Sequence, residues 1–236
     1  MKIHVALMTI ASCCAGTANG EILNFDGDVG SHLPDGSGAF VTPFDGMYIN
    51  RTYGDIPAEL DVSYIDRRIV LAVSDIDRGI SGQTLRYWDA DYNDLRRVVW
   101  GGTSDANSAA RVALTPLNGR TIRLHSFDLG GWPNTTHGTT LNVYEIGSAA
   151  PLFTYIGNIG IFPGNLANHF SDTSFNSIVS STGFLIDWED SAFNVGLDNV
   201  DFTVSAIPLP AAFWLFGTAF AGLGFLRRVG DRSCLK

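Results

Sequence analysis

Short apolar runs separated by Gly, Asn, Asp and Pro fill the stretch from Glu21 to Ala206. They fall at Met47 to Asn50, Ile69 to Val73, Leu85 to Trp88, Val98 to Trp100, Val112 to Leu114, Ile122 to Phe127, Leu141 to Tyr144, Leu152 to Ile156, Phe184 to Trp188 and Val200 to Val204. Several alternate residue by residue. Phe184, Ile186 and Trp188 interleave with Leu185, Asp187 and Glu189; Val200, Phe202 and Val204 interleave with Asp201 and Thr203. Successive side chains of a strand point to opposite faces, so this period of two predicts strands with one buried face. No segment sustains a helical period. About ten strands, without an internal repeat or linker, predict one all-β domain over residues 21–206: a two-sheet antiparallel sandwich, jelly-roll-like.

The two ends read differently. Met1 to Gly20, MKIHVALMTIASCCAGTANG, has Lys2, an apolar run and then small residues, with Ala18 and Gly20 placed for a cut before Glu21. This is the pattern of a signal peptide, 1–20, read by an export translocon and signal peptidase. Ile10-Ala11-Ser12-Cys13 also has lipobox character, which would put a lipid on Cys13. At the far end, Ala211 to Leu226 is 16 residues without a charge. As a helix it would extend about 24 Å, just short of a ~30 Å hydrocarbon core unless Ile207 to Pro210 extend it. Pro208 and Pro210 stand where a helix can begin, since first-turn N–H groups have no intrahelical partner. Arg227 and Arg228 end the run, and with Arg232 and Lys236 they mark a cytoplasmic side. Residues 207–236 are therefore expected to form a single transmembrane helix, with the domain outside.

Charge and cysteine content narrow the class. Positions 21–206 carry 10 Arg, no Lys, and 23 Asp and Glu. Such a domain repels a phosphate backbone and disfavours a nucleic-acid role, so no nucleic-acid partner is expected. Cys13, Cys14 and Cys234 all lie in the terminal segments, so the domain holds no disulfide, thiolate metal site or Cys nucleophile.

The C-terminal residues carry a resemblance. Ile207-Pro208-Leu209-Pro210-Ala211-Ala212, followed by Trp214-Leu215-Phe216-Gly217, a Gly-rich apolar stretch and the Arg227-Arg228 pair, closely resembles the PEP-CTERM sorting signal in its VPLPA form. Pro208-Leu209-Pro210 stands for the Pro-Glu-Pro of the family name, and Val229 to Lys236 extend past the usual end. The resemblance implies a Gram-negative cell envelope, transient inner-membrane anchoring, cleavage near Pro208 to Pro210 by an exosortase, and a link to exopolysaccharide and biofilm at the cell surface. The domain is similar in outline to jelly-roll regions of such proteins and to carbohydrate-binding modules. Leu23-Asn24-Phe25-Asp26-Gly27, Ser126-Phe127-Asp128-Leu129-Gly130-Gly131-Trp132 and Val195-Gly196-Leu197-Asp198-Asn199-Val200-Asp201-Phe202 carry that likeness. It implies a structural Ca²⁺ joining first and last strands, with Asp26 and Asp198 as ligands. Hard oxygen donors suit that ion; the same two Asp residues would equally serve to shape turns.

Motifs for catalysis are sparse. There is no G-x-S-x-G elbow, H-E-x-x-H, phosphate loop or dinucleotide fingerprint. His32, His125, His137 and His169 stand singly. Asp89-Ala90-Asp91-Tyr92-Asn93 imitates the start of an EF-hand loop, but Asp94 replaces the required Gly and Trp100 the closing Glu, which leaves a solvated turn. Asp187-Trp188-Glu189-Asp190 places carboxylates beside an aromatic, the residue types of glycosidase acid–base chemistry. Aromatics can instead form a sugar-stacking face. Tyr87, Trp88, Tyr92, Trp132 and Trp188 are the candidates, against the default that aromatics in strands are core. Trp132 stands out: between Gly130-Gly131 and Pro133-Asn134 it belongs to a loop, with Asn134 beside it to fix hydroxyls. The expectation is a non-enzymatic matrix protein with sugar affinity through Trp132, Asn134 and Tyr92. The alternatives are a polysaccharide hydrolase using Asp187, Glu189 or Asp190, and a plain membrane- or lipid-anchored protein.

Overall fold

The computed structural model describes residues 20–25, 31–32, 40–41, 45–49, 53, 56–67, 84–101, 108–161 and 163–206. The signal-peptide segment, Ile69 to Val73, Asp26 and the sorting-signal residues Pro208 to Arg228 lie outside them. The chain divides into two compact units after Ser205, and of the second only Ala206 is described. Among the described residues no helix is long and apolar enough to cross a membrane.

The described residues are almost entirely strand, arranged as a β-sandwich of two antiparallel sheets. In the first sheet, β11 (Asn168–Phe170), β8 (Arg120–Gly131), β13 (Val195–Ala206), β6 (Val98–Trp100) and β5 (Arg86–Trp88) lie side by side, and β1 (Gly20–Leu23) also pairs with β13. The second sheet has the order β10 (Phe153–Ile159), β9 (His137–Glu145), β12 (Phe184–Asp190), β7 (Ser108–Pro116) and β4 (Leu60–Asp66). A small two-stranded sheet pairs β2 (Ser31–His32) antiparallel with β3 (Phe40–Val41). The only helix among the described residues is a single turn, Thr173–Asn176, capped by the Asp172 side chain accepting from the Ser174 N–H.

The two-residue period decides the faces. In β12, Phe184, Ile186 and Trp188 enter the core, while Leu185, Asp187 and Glu189 point away. Their register partners follow suit: Val112 and Leu114 of β7, and Leu141 and Val143 of β9, are all buried. Ile122, Leu124, Phe127, Val200 and Phe202 meet them from the first sheet. Burial of each such side chain contributes roughly 1.5–3 kcal/mol. Trp188 is completely buried, and its indole N–H donates to the Val195 carbonyl at 2.9 Å.

Strict alternation breaks in β13. Leu197 and Val200 both face the core, three positions apart, and Asn199 between them has φ 51°. That extra residue with a left-handed backbone is the mark of a β-bulge, which bends the strand and re-aims its side chains. The change of sheet between β7 and β8 is made by Asn118-Gly119, both with positive φ, and the Arg120 N–H closes the turn on the Leu117 carbonyl. Only Asn, Asp and Gly visit that conformation at low cost.

Most strand runs expected from the sequence differ in extent from the strands observed. Ile122 to Phe127 is the middle of a longer strand, β8, that runs to Gly131; Leu152 to Ile156 begins one residue later and continues to Ile159. Met47 to Asn50 contributes only a single bridge, Tyr48 to Arg86, within the described residues. Strand β4 had no counterpart in the sequence reading, although Leu60, Val62 and Tyr64 alternate there with Asp61 and Ser63.

Candidate aromatic surface site

A second, smaller hydrophobic cluster lies apart from the main core. It consists of Tyr92, Leu95, Val98 and Trp100, with Trp88, Trp132, Ala167 and Phe193 packed against it. Its position follows from pairing. Tyr87 and Val99 face the main core, so Arg86, Trp88, Val98 and Trp100 fall on the outer face of the first sheet, where Arg86 sits opposite Trp100 and Trp88 opposite Val98.

The rings pack edge to face. Trp88 meets Trp132 at 5.8 Å and 69°, Trp88 meets Trp100 at 6.2 Å and 73°, and Trp100 meets Phe193 at 5.1 Å and 86°. Such pairs add about 0.5–1.5 kcal/mol each beyond their area. The Arg86 guanidinium covers Trp100 at 5.0 Å and Tyr48 at 4.6 Å, while its Nη2 donates to the Tyr48 hydroxyl at 2.6 Å. Trp100 is buried; Trp88 and Trp132 are half-buried. Beside Trp88, the exposed Asp89 carboxylate faces Arg97 Nε at 3.6 Å.

Trp132 is positioned by its own backbone. Its N–H donates to the Asn194 carbonyl at 2.8 Å, and its carbonyl is bonded by the His137 ring. The loop 89–97 holds this end of the molecule together. Asn93 is 6 % exposed with φ 59°; its Oδ1 accepts the Gly131 N–H at 2.5 Å, and its amide reaches Asn165. Asp94 accepts the Ala167 N–H at 2.6 Å. Gly130 permits the approach, because a Cβ there would stand 2.3 Å from the Tyr92 carbonyl oxygen. The acidic loop that imitates an EF-hand is thus occupied with neighbouring turns, and no group of three or more His, Cys, Asp or Glu suited to a metal gathers among the described residues.

Of the three expected sugar contacts, Trp132 is the half-buried aromatic. Asn134 is in the adjoining turn with φ 53°, but its backbone and side-chain N–H groups both donate to Asp91, which makes it a tie between loops. Tyr92 is 2 % exposed; its ring lies under the loop and its hydroxyl donates to the Phe193 carbonyl, so it has no face to offer a ligand. Burial pushes its phenol well above the ordinary range. Tyr87 and Trp188 are likewise buried. Trp88 takes the place the sequence reading gave to Tyr92. Arg86, Tyr48, Trp100 and Phe193 were not foreseen there. The alternation of Arg86 and Trp88 about a core Tyr87 was a legible hint for one of these four, Arg86.

The carboxylates Asp187 and Glu189 share the outer face of the second sheet. Asp187 is buried, gripped by Arg111 through two parallel bonds of 2.5 and 2.6 Å, with Arg67 Nη1 at 3.3 Å. The hydrogen bond to Asp187 raises the Arg111 pKa above its ordinary value. Glu189 pairs with Arg67 at 3.4 Å, and Asp190 accepts from Thr140. Arg111 and Arg67 thus pair with two of the three acids that glycosidase chemistry would use, Asp187 and Glu189, and Asp187 is buried.

For the expected Ca²⁺, β1 and β13 do pair, with Leu23 opposite Val200, so Asn24 comes level with the bulge at Asp198 and Asn199. Asp198 is buried and its Oδ1 accepts the Asn199 N–H at 2.8 Å. The buried Asn24 Oδ1 has no hydrogen-bond partner among the described residues, a hard oxygen of the kind that ion takes. Asp26, the other ligand that the resemblance implies, lies outside the described residues.

No known family model matches the chain, and no curated protein is similar to it.

Proposed function

We propose that this is an exported β-sandwich protein of the bacterial envelope that binds polysaccharide through the Trp88–Trp132 surface, without catalysing its cleavage. The observation that carries the reading is the pair of half-buried indoles held edge to face on an outer sheet surface, bordered by the exposed Asp89 and Arg97. An indole face stacks on the C–H face of a pyranose, and a neighbouring carboxylate and guanidinium hydrogen-bond its hydroxyls. The rings are fixed before a ligand arrives, which lowers the ordering cost of binding. Electrophoresis of the purified protein through gels containing neutral polysaccharides tests this. Retardation that W132A and W88A abolish is the expected result; equal mobility of wild type and both variants refutes it.

The export and sorting part rests on the sequence alone: the signal peptide, and a tail that resembles the PEP-CTERM signal from Pro208 to Arg228. In this reading an exosortase-type enzyme cleaves near Pro208 to Pro210 after transient anchoring by the apolar helix, releasing the domain to the cell surface or matrix. The jelly-roll form of the sandwich and a Ca²⁺ held by Asp26, Asp198 and Asn24 belong to the same proposal. Intact mass of protein recovered from a host envelope should lack residues 1–20 and those beyond about Pro208. A full-length C-terminus in the inner membrane would leave only an anchor.

A further inference from the structure

A polar groove crosses the outer face of the first sheet, away from the aromatic cluster. It has a volume of about 330 Å³ and is lined by Thr121, Arg123, His125, Val179, Thr203 and Ser205. That size is at the small end of the ~300–1,000 Å³ typical of small-molecule sites.

The lining is a product of the two-residue period. Thr121, Arg123 and His125 alternate with Ile122 and Leu124, which face the core, so all three look outward from β8. Thr203 and Ser205 do the same on the neighbouring strand β13. Val179 arrives from the other side, because Ser180 forms a two-bond bridge with Ile122, with each N–H donating to the other's carbonyl at 2.8 Å. The walls therefore belong to paired backbone.

The chemistry of the lining is distinct from that of the domain. Acids outnumber Arg by 23 to 10 over residues 21–206, yet among the described residues no carboxylate lines the groove. Arg123 is exposed and makes no ion pair among the described residues. His125 Nε2 is bonded to Thr203 Oγ1 at 2.7 Å, and Thr121 Oγ1 donates to the Ser205 carbonyl at 3.3 Å. These bonds fix two hydroxyls while leaving acceptor lone pairs. Ser205 Oγ is uncommitted among the described residues, and the Val179 methyls add an exposed apolar contact.

One guanidinium, three hydroxyls, an imidazole and an apolar flank match a carboxylate carried on a polyol ring. We infer that this groove binds a uronic acid unit: Arg123 holds the carboxylate, Thr121, Thr203 and Ser205 meet the ring hydroxyls, and Val179 lies against its C–H face. The inference rests on the reading that the domain meets polysaccharide, and it assigns the acidic units of the polymer to a site separate from the indoles.

Calorimetric titration of the purified full chain with a galacturonic acid trimer and with a neutral glucose trimer tests it. The acidic trimer should bind, and R123Q should weaken it about tenfold, the loss of one charge-assisted hydrogen bond. T203V, close in volume, should weaken it less, and W88A/W132A should leave it unchanged. Absence of binding by the acidic trimer, or equal binding by R123Q, overturns the groove assignment. If the neutral trimer still binds in a manner lost in W88A/W132A, the aromatic reading survives that failure; if only the acidic trimer binds, through Arg123, the groove stands and the aromatic reading falls.

Discussion

Replacing Asn93 separates the two reasons this residue is needed. Its side-chain oxygen satisfies the buried Gly131 N–H at 2.5 Å, one residue before Trp132, and its backbone has φ 59°. In N93A the Gly131 donor loses its partner, which costs about 1–3 kcal/mol. Ala must also hold a left-handed backbone, worth roughly 1–2 kcal/mol against a non-Gly residue. In N93G only the first cost remains, since Gly takes positive φ freely. At about 2–4 °C per kcal/mol for a domain of this size, N93A should lower the melting temperature by about 5–15 °C and N93G by about 3–10 °C. Both should weaken polysaccharide retardation, because the turn that carries Trp132 loses one of its ties to loop 89–97 and keeps that of Asn134 to Asp91. Differential scanning calorimetry with gel retardation reads both quantities. Variants that melt within about 1 °C of wild type, or N93G melting below N93A, would refute the role assigned to Asn93.

The Arg111–Asp187 pair gives a second test. R111A leaves a buried carboxylate with only Arg67 near it; breaking such a pair costs ~3–5 kcal/mol when fully enclosed, and about 2–3 kcal/mol is expected because Arg111 is 29 % exposed. Urea unfolding checks this, with R111K intermediate because Lys lacks the two-pronged fork. Alkaline stability is a third. Burial raises the phenols of Tyr64, Tyr87 and Tyr92, Tyr87 from 10.0 to about 12. The folded state then holds protons that the unfolded chain has lost, so stability is full below about pH 10 and declines as pH rises towards about 12. Urea midpoints at about pH 9 and about pH 11.5 should differ in that sense, and equal midpoints would contradict the burial argument. A chelator should lower the melting temperature of the wild type and leave D198A unmoved; no shift in the wild type removes Ca²⁺ from the account.

Local pattern carried much of the fold. Alternation in Phe184 to Trp188 and Val200 to Val204 placed those side chains on the correct faces, since a strand's geometry is a property of consecutive residues. The loop position of Trp132 followed from its Gly and Pro neighbours. The burial of Tyr92 did not, because it depends on glycines at Gly130 and Gly196, far along the chain, admitting the loop to the sheet surface. The Arg86–Trp100 register and the Phe193 contact are likewise long-range pairings with no local signal. Asp187 shows the same limit: its sequence neighbours suggested a catalytic cluster, while Arg111, 76 positions away, determines its state.

The central claim is that polysaccharide meets the protein at Trp88 and Trp132. The most direct measurement is titration of an indole-¹⁵N-labelled protein with a neutral oligosaccharide, following the five tryptophan N–H resonances. The account predicts progressive shifts for Trp88 and Trp132, with Trp188, buried and bonded to Val195, unmoved. Five stationary resonances at saturating sugar, or shifts confined to other indoles, would contradict it.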